Sequence, residues 1–184
     1  MTAQTAYSPE EFLITTITRL LPEKGNAAVG AASPVPGSAV LLQRELTGGA
    51  LRASLIQGTS NNPFTDGGRE LFDAAGQGRI DVFFLGGVQI DGQANLNLVG
   101  TGEYPNLDRR FPGSFGSAHM YFVVPRVILF RPEHTRRVFV EKVDFISAPG
   151  VSPPDVYRPG GPHALVTELC IMSFDRKKGR FRLE

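Results

Sequence analysis

His119 stands directly after the run Gly113-Ser114-Phe115-Gly116-Ser117. An imidazole, with its unperturbed pKa near about 6.5, could polarise a carbonyl or relay a proton there. A lone His at the start of an apolar stretch is also a common structural feature. Glycines in the run before it let main chain come close to a ligand and aim N–H groups at it; an ordinary Gly turn is the alternative. Gln89, Asn95 and Asn97 follow the apolar run Phe83–Leu85. That puts them at the carboxyl end of a strand, where open α/β sheets bind ligands, or makes them buried amides that hold a loop by hydrogen bonding. His134 and His163 lie in charged or Pro-Gly surroundings and read as solvated. No two His, Cys or carboxylates stand at metal-ligand spacing, so no metal is expected. The pairs Arg136-Arg137 and Lys177-Lys178 read most simply as surface charge.

These groups need elements to position them. Ser8-Pro9-Glu10-Glu11 is a helix start, with Ser8 as N-cap, Pro9 at the first position and Glu11 closing a capping box. Phe12, Leu13, Thr16, Ile17, Leu20 and Leu21 continue at helical spacing, and Pro22 and Gly25 end the pattern. Ala27–Gly30 suits a buried strand, Ala31–Gly37 a loop, and Ser38–Arg44 a second helix. Ala53–Ile56 is a short strand, Gln57–Asn62 a loop, Gly68–Gly78 a helix, and Ile80–Leu85 an apolar strand that stops at Gly86-Gly87. Continuous apolar runs of this kind imply a sheet covered on both faces. The repeated strand–loop–helix order predicts an α/β fold with an open, mainly parallel sheet and flanking helices. Further on, Met120–Phe130 reads as a strand broken by Pro125, Arg137–Val143 as an exposed or edge strand, and Ala164–Phe174 as a strand in a hairpin with Arg180–Leu183. Ser147–Pro162 is too rich in Pro and Gly for regular structure, and is either a long site loop or a linker.

Composition limits the function classes. The 184 residues fit a single domain, and 41% hydrophobic with 20% charged residues describes neither a disordered chain nor a membrane one. Nineteen Lys+Arg against eighteen Asp+Glu leave +1, too little for a phosphate backbone, so no nucleic-acid partner is expected. No window approaches the roughly 18 consecutive apolar residues of a membrane helix. The lone Cys170 and the unremarkable start MTAQTAYSPEEF point to the cytoplasm.

Three segments in order carry a family pattern: Phe84–Asp91 with Asn95 and Asn97, then Phe111–Ser117, then Val143–Gly150. Together they resemble the β subunit of the family I CoA-transferases, nearest to the glutaconate CoA-transferase B branch, from about Glu10 onward. The resemblance implies a CoA-transferase-like α/β domain that pairs with an α-type subunit, with the active site between the two. It also implies an acyl-CoA substrate, of which coenzyme A is a part, and no separate cofactor. On the family pattern, Gly113, Ser114, Phe115, Gly116 and Ser117 form the Gly-rich loop toward the acyl-CoA, with Phe115 or Ser117 where one more Gly is usual. Ala31–Gly37 corresponds to the Gly-x-Pro loop whose amides face the thioester, with Ala32 or Ser33 in place of a Gly. Ser33, Gln89 and Asn95 are thereby candidate substrate contacts, and His119 a candidate acid/base.

A departure from the pattern is as informative. Family transferases attack acyl-CoA with a β-subunit glutamate, passing through an acyl anhydride and a glutamyl-CoA thioester. Its place is at the end of the strand after the second helix, here Leu55-Ile56-Gln57-Gly58, and no Asp or Glu occurs from Leu46 through Thr65. Ile56 or Gln57 holds the position, and neither an alkane nor a neutral amide can form the anhydride. Steroid ring-opening CoA-thioester hydrolases resemble glutaconate CoA-transferase and lack this glutamate too. The expectation is therefore the β subunit of a ring-opening acyl-CoA hydrolase, with Gln57 and His119 as candidate catalytic groups. The alternatives are a true transferase whose glutamate has moved, and a non-catalytic subunit. Family β subunits typically continue past the hairpin at Arg180–Glu184, so an oligomer contact is expected near Leu169, Ile171 and Phe174.

Overall fold

A computed structural model describes residues 7–184. Helix α1 (Pro9–Leu20) begins as the sequence requires. The Ser8 hydroxyl accepts the Glu11 N–H at 3.1 Å, and the Ser8 N–H donates to the Glu11 carboxylate at 2.7 Å. Leu13 and Ile17 are buried, and Leu21 turns extended before Pro22, which disfavours helical geometry in the residue it follows. The chain continues through β1 (Gly25–Val29), α2 (Pro34–Leu46), β2 (Leu51–Leu55), α3 (Gly67–Gly76) and β3 (Val82–Leu85). Two short hairpins follow, β4 (Gln89–Ile90) with β5 (Leu96–Asn97), and β6 (Gly100–Glu103) with β7 (Asn106–Arg110). The last elements are α4 (Ser117–Val123), β8 (Arg126–Phe130), β9 (Pro162–Val166), β10 (Ile171–Asp175) and β11 (Arg180–Leu183).

Seven strands form one sheet in the order β11-β10-β9-β8-β3-β1-β2. Pairs β1–β2, β1–β3, β3–β8 and β8–β9 are parallel; β9–β10 and β10–β11 are antiparallel. Successive strand side chains point to opposite faces, and both faces are covered. Ala27, Val29, Val82, Phe84, Ile128 and Val166 pack with Leu13, Ile17, Ala39 and Val40 of α1 and α2. Ala28, Phe83, Val127, Leu129 and Leu165 pack on the other side with Leu71, Ala75, Met120 and Tyr121 of α3 and α4. The expected mainly parallel sheet with flanking helices is the observed one.

Several local expectations are corrected. Ala31–Gly37 is not all loop, because α2 already starts at Pro34, whose fixed φ and missing N–H suit a first helical turn. Met120–Phe130 is not one strand. Residues up to Val123 are helical, with Met120, Tyr121 and Val124 buried, and only the part beyond Pro125 is extended. A short apolar run carries no period that separates the two. Arg137–Val143 contributes a single bridge, Phe139 to Ile90, rather than a strand. Ala164–Phe174 is split into β9 and β10 by a turn in which the Thr167 hydroxyl accepts the N–H groups of Leu169 and Cys170, each at 3.1 Å. Phe174 lies in the chain's own core against Phe181, whereas Leu169 is exposed. Ser147–Gly161 holds no helix or strand beyond a single bridge from Ala148 to Leu96, as expected, and Pro162 opens β9.

Candidate functional site

The sheet has one place where the chain reverses its direction of travel. From β1 it moves outward to β2, then returns to lay β3 on the other side of β1. At such a reversal the loops leaving the two central strands diverge and open a crevice at the strands' carboxyl ends. A cavity of about 300 Å³ occupies this position, walled by Gly30, Ala31 and Ser33 after β1, Ile56 after β2, Leu85 and Gly86 at the end of β3, and Ser114–Ser117 before α4. Leu71, Phe72, Phe83, Leu98 and Met120 complete an apolar wall. None of its lining residues is ionisable.

Its polar groups are hydroxyls. Ser117 is 7% exposed, and its Oγ has no hydrogen-bond partner. A buried hydroxyl without a partner is costly, and this one is shut off from solvent behind the cavity wall. Ser33 Oγ donates to the Ala31 carbonyl at 3.1 Å. Gly116 has no room for a side chain, since a Cβ there would run into the Phe72 ring.

Loop 30–33 separates this cavity from a second, of about 370 Å³, lined by Pro34, Gly37, Leu41, Leu55 and Gln57 and sharing Gly30 and Ser33. β2 ends in a turn closed by the Gly58 N–H on the Leu55 carbonyl at 3.0 Å, and this turn sets Ile56 at the first cavity and Gln57 at the second. Gln57 Oε1 accepts the Ala32 N–H at 2.8 Å. Pro34 and Pro36 carry no N–H, so the donors of this loop are few and one of them is already engaged. Ala32 and Phe115 both have left-handed backbone, at φ 51° and 43°. These are the segments in which the family pattern has glycine, and here a side chain is held in a conformation that costs about 1–2 kcal/mol. Phe115 is 91% exposed at the cavity mouth, and its ring packs at a tilt of 55° to that of Phe72, 5.5 Å between centroids.

The remaining candidates lie apart from the cavity. His119 sits on the outer side of α4, its Nε2 3.2 Å from the Phe72 carbonyl oxygen and its ring edge-on to Phe72. Gly113 has φ 104° and is not in the cavity wall. Gln89, Asn95 and Asn97 are buried and fully engaged. Gln89 accepts the Asn97 amide at 2.7 Å and the Asp144 N–H at 3.0 Å, and donates to the Asp144 carboxylate at 3.1 Å. Asn95 donates to Asp91 and accepts the Gly150 N–H, both at 3.0 Å. Beneath them Tyr121 donates its hydroxyl to the Ala94 carbonyl at 2.8 Å, and burial holds that phenol far above its usual range. The sequence reading missed the aromatic wall of Phe72 and Phe83. The signal was the spacing of Phe83 and Leu85 two apart on one strand face, and Leu71-Phe72 on the helix opposite.

The model of the coenzyme A transferase family matches residues 11–184. The chain belongs to the coenzyme A transferase family. Among family relatives, it is 34% identical over 110 residues to the B-subunit of the 3-oxoadipate CoA-transferase of Pseudomonas knackmussii, covering 56% of this chain and 42% of that one. To the B-subunit of the glutaconate CoA-transferase of Acidaminococcus fermentans it is 33% identical over 109 residues, covering 55% of this chain and 40% of that one. The aligned parts thus span less than half of these relatives' length. The solved structure of the Acidaminococcus enzyme superposes with a TM-score of 0.80 at 22% identity, over 97% of this chain and 79% of that one. The structure of IpdAB from Rhodococcus jostii RHA1 superposes with 0.83 at 22% identity, over 97% and 77%. These superpositions establish the CoA-transferase fold. No described helix is long and apolar enough to cross a membrane.

Proposed function

We propose that this chain is the β-type subunit of an enzyme that opens a ring of an acyl-CoA thioester by hydrolysis, in complex with an α-type subunit. One observation carries the reading: the cavity at the strand ends contains no carboxylate, and the segment where the family nucleophile belongs presents Ile56 and Gln57. A ping-pong transfer needs a side-chain carboxylate to carry the acyl group and then CoA. Retro-Claisen cleavage does not. Water adds to a ring carbonyl, the carbon–carbon bond breaks, the carbonyl carbon leaves as a carboxylate, and the departing carbon takes a proton. This needs a base and an oxyanion stabiliser. This chain supplies an apolar bed for the ring, and the partner supplies the base.

The discriminating experiment uses the assembled complex with a cyclic diketone-CoA in ¹⁸O water. The expected result is one heavy oxygen in the new carboxylate, with the CoA thioester retained and no acceptor acid required. Hydroxylamine or borohydride trapping during turnover should leave every carboxylate of this chain unmodified. A trapped carboxylate here overturns the reading in favour of a transferase, the activity carried in the names of the curated relatives.

A further inference from the structure

A third cavity, of about 270 Å³, lies away from the other two, under the Pro/Gly-rich segment Ser147–Pro162. It is walled by Val151, Pro153, Val156 and Phe174, with Arg158 and Arg176. Arg158 is partly buried and Arg176 exposed, and the ion pairs among the described residues include neither. Their partners are carbonyl oxygens: Arg158 donates to Tyr121 at 2.8 Å and Gly160 at 3.0 Å, and Arg176 donates to Pro125 and Gly161. Arg158 also makes a long contact with the Ser152 hydroxyl at 3.4 Å.

The two guanidiniums meet around Gly161. A Cβ at that residue would lie 3.2 Å from Arg158 Nε, and its φ of 142° excludes most side chains. The carboxylates nearest in sequence do not neutralise the pair. Asp175 accepts the Lys177 and Lys178 N–H groups at 3.0 and 3.1 Å, and Asp155 is exposed outside the cavity wall. His163, at the start of β9, is held below the usual imidazole range by desolvation and by Arg126 and Arg176, so it adds no further positive charge there and, as an imidazole, supplies no counter-ion. Both guanidiniums are themselves shifted downward, first by burial, while Arg158 is also lowered by Arg176.

Each guanidinium has five N–H donors in a planar fork, and the carbonyls engage only part of them. Two like charges that line one concavity, Arg158 partly buried and Arg176 exposed, with no ion-pair partner among the described residues, are stabilised by an anion between them. Beside them the wall is hydrocarbon. We infer that this cavity is a binding site for a small carboxylate on a short hydrocarbon stem, held by Arg158 and Arg176 and packed on Val151, Val156 and Phe174. The site is separate from the crevice at the carboxyl ends of the strands, and does not depend on which reaction is run there.

Sodium butyrate is the probe, titrated against the full chain at constant ionic strength and followed by saturation transfer to its methyl signal. Saturable binding is expected. It should weaken about tenfold or more in Arg176→Gln, which removes a charge-assisted fork. Because Arg176 also ties down two carbonyls, Val156→Asp serves as the second variant. It sits on the open side of the wall and places a competing carboxylate beside the guanidiniums, so butyrate binding should be lost while the fold persists. Ser117→Ala, in the other cavity, should leave butyrate binding intact. Non-saturable butyrate signal, unchanged affinity in Val156→Asp, or saturable binding of inorganic phosphate with none of butyrate would each overturn the inference.

Discussion

Gln57 is a candidate site residue whose side chain is already engaged within the chain. Its amide oxygen is committed to the Ala32 N–H. Gln57→Glu would place a carboxylate on the same donor and hold it there more strongly, as a charge-assisted bond. This variant is expected to show no ping-pong transfer and no hydroxylamine-trappable ester in the assembled complex, because a tethered carboxylate is not aimed at a thioester carbon. Ile56→Glu tests the other register. That side chain faces the cavity against the Leu71–Phe83 core, where desolvation raises a carboxyl's pKa. We expect a loss of about 2 kcal/mol or more in urea denaturation at pH 7. With its folded-state pKa above the unfolded value of about 4.3, the deficit should shrink as pH falls toward that value. A deficit that is constant with pH would mean the new carboxyl stays solvated.

At the scale of elements, the loop between β4 and β5 is held by one carboxylate. Asp91 accepts the N–H groups of Gln93 and Asn95 and the Asn95 side chain, each at 3.0 Å, and is 5% exposed. Asp91→Ala strands these donors and should cost about 2–3 kcal/mol, with Asp91→Asn milder; equilibrium unfolding measures both. After β8, the connecting loop is pinned by Glu133, whose carboxyl is pulled down to about 2 by hydrogen bonds from Arg137, Thr135 and Arg131. A depressed folded-state value means this contribution is complete above the ordinary glutamate range and fades as pH falls through about 2. The stability gap between the native chain and Glu133→Gln should accordingly close across that interval in acid titrations. These two loops also mark the limit of what the sequence conveys. The capping box at Ser8 and the buried strands Ala27–Val29 and Val82–Leu85 were legible because their signals are local. The helix hidden in Met120–Val123 and the break at Thr167 were not, because an apolar run has no readable period and a threonine turn looks like strand. At the site, the absence of acids from Leu46 through Thr65 was legible directly. That Ile56 and Gln57 face different cavities, and that His119 lies outside both, depends on side-chain direction and was not.

For the molecule as a whole, the exposed aromatics Tyr104, Phe115 and Tyr157 stand on loops rather than on the sheet. Co-expression with an α-type family chain should yield a stable complex on size exclusion, with slowed hydrogen exchange in these loops. Unchanged exchange would contradict the proposed pairing. The strand order carries a further consequence, for how the protein is made. After β1 and β2, every later strand joins the edge left by the one before it: β3 beside β1, then β8, β9, β10 and β11 in turn. No strand has to be threaded between two already in place. The sheet can therefore be laid down strand by strand as the chain leaves the ribosome, each new strand joining one growing edge, on which β11, with Arg180 and Arg182 directed outward, is the outermost described strand.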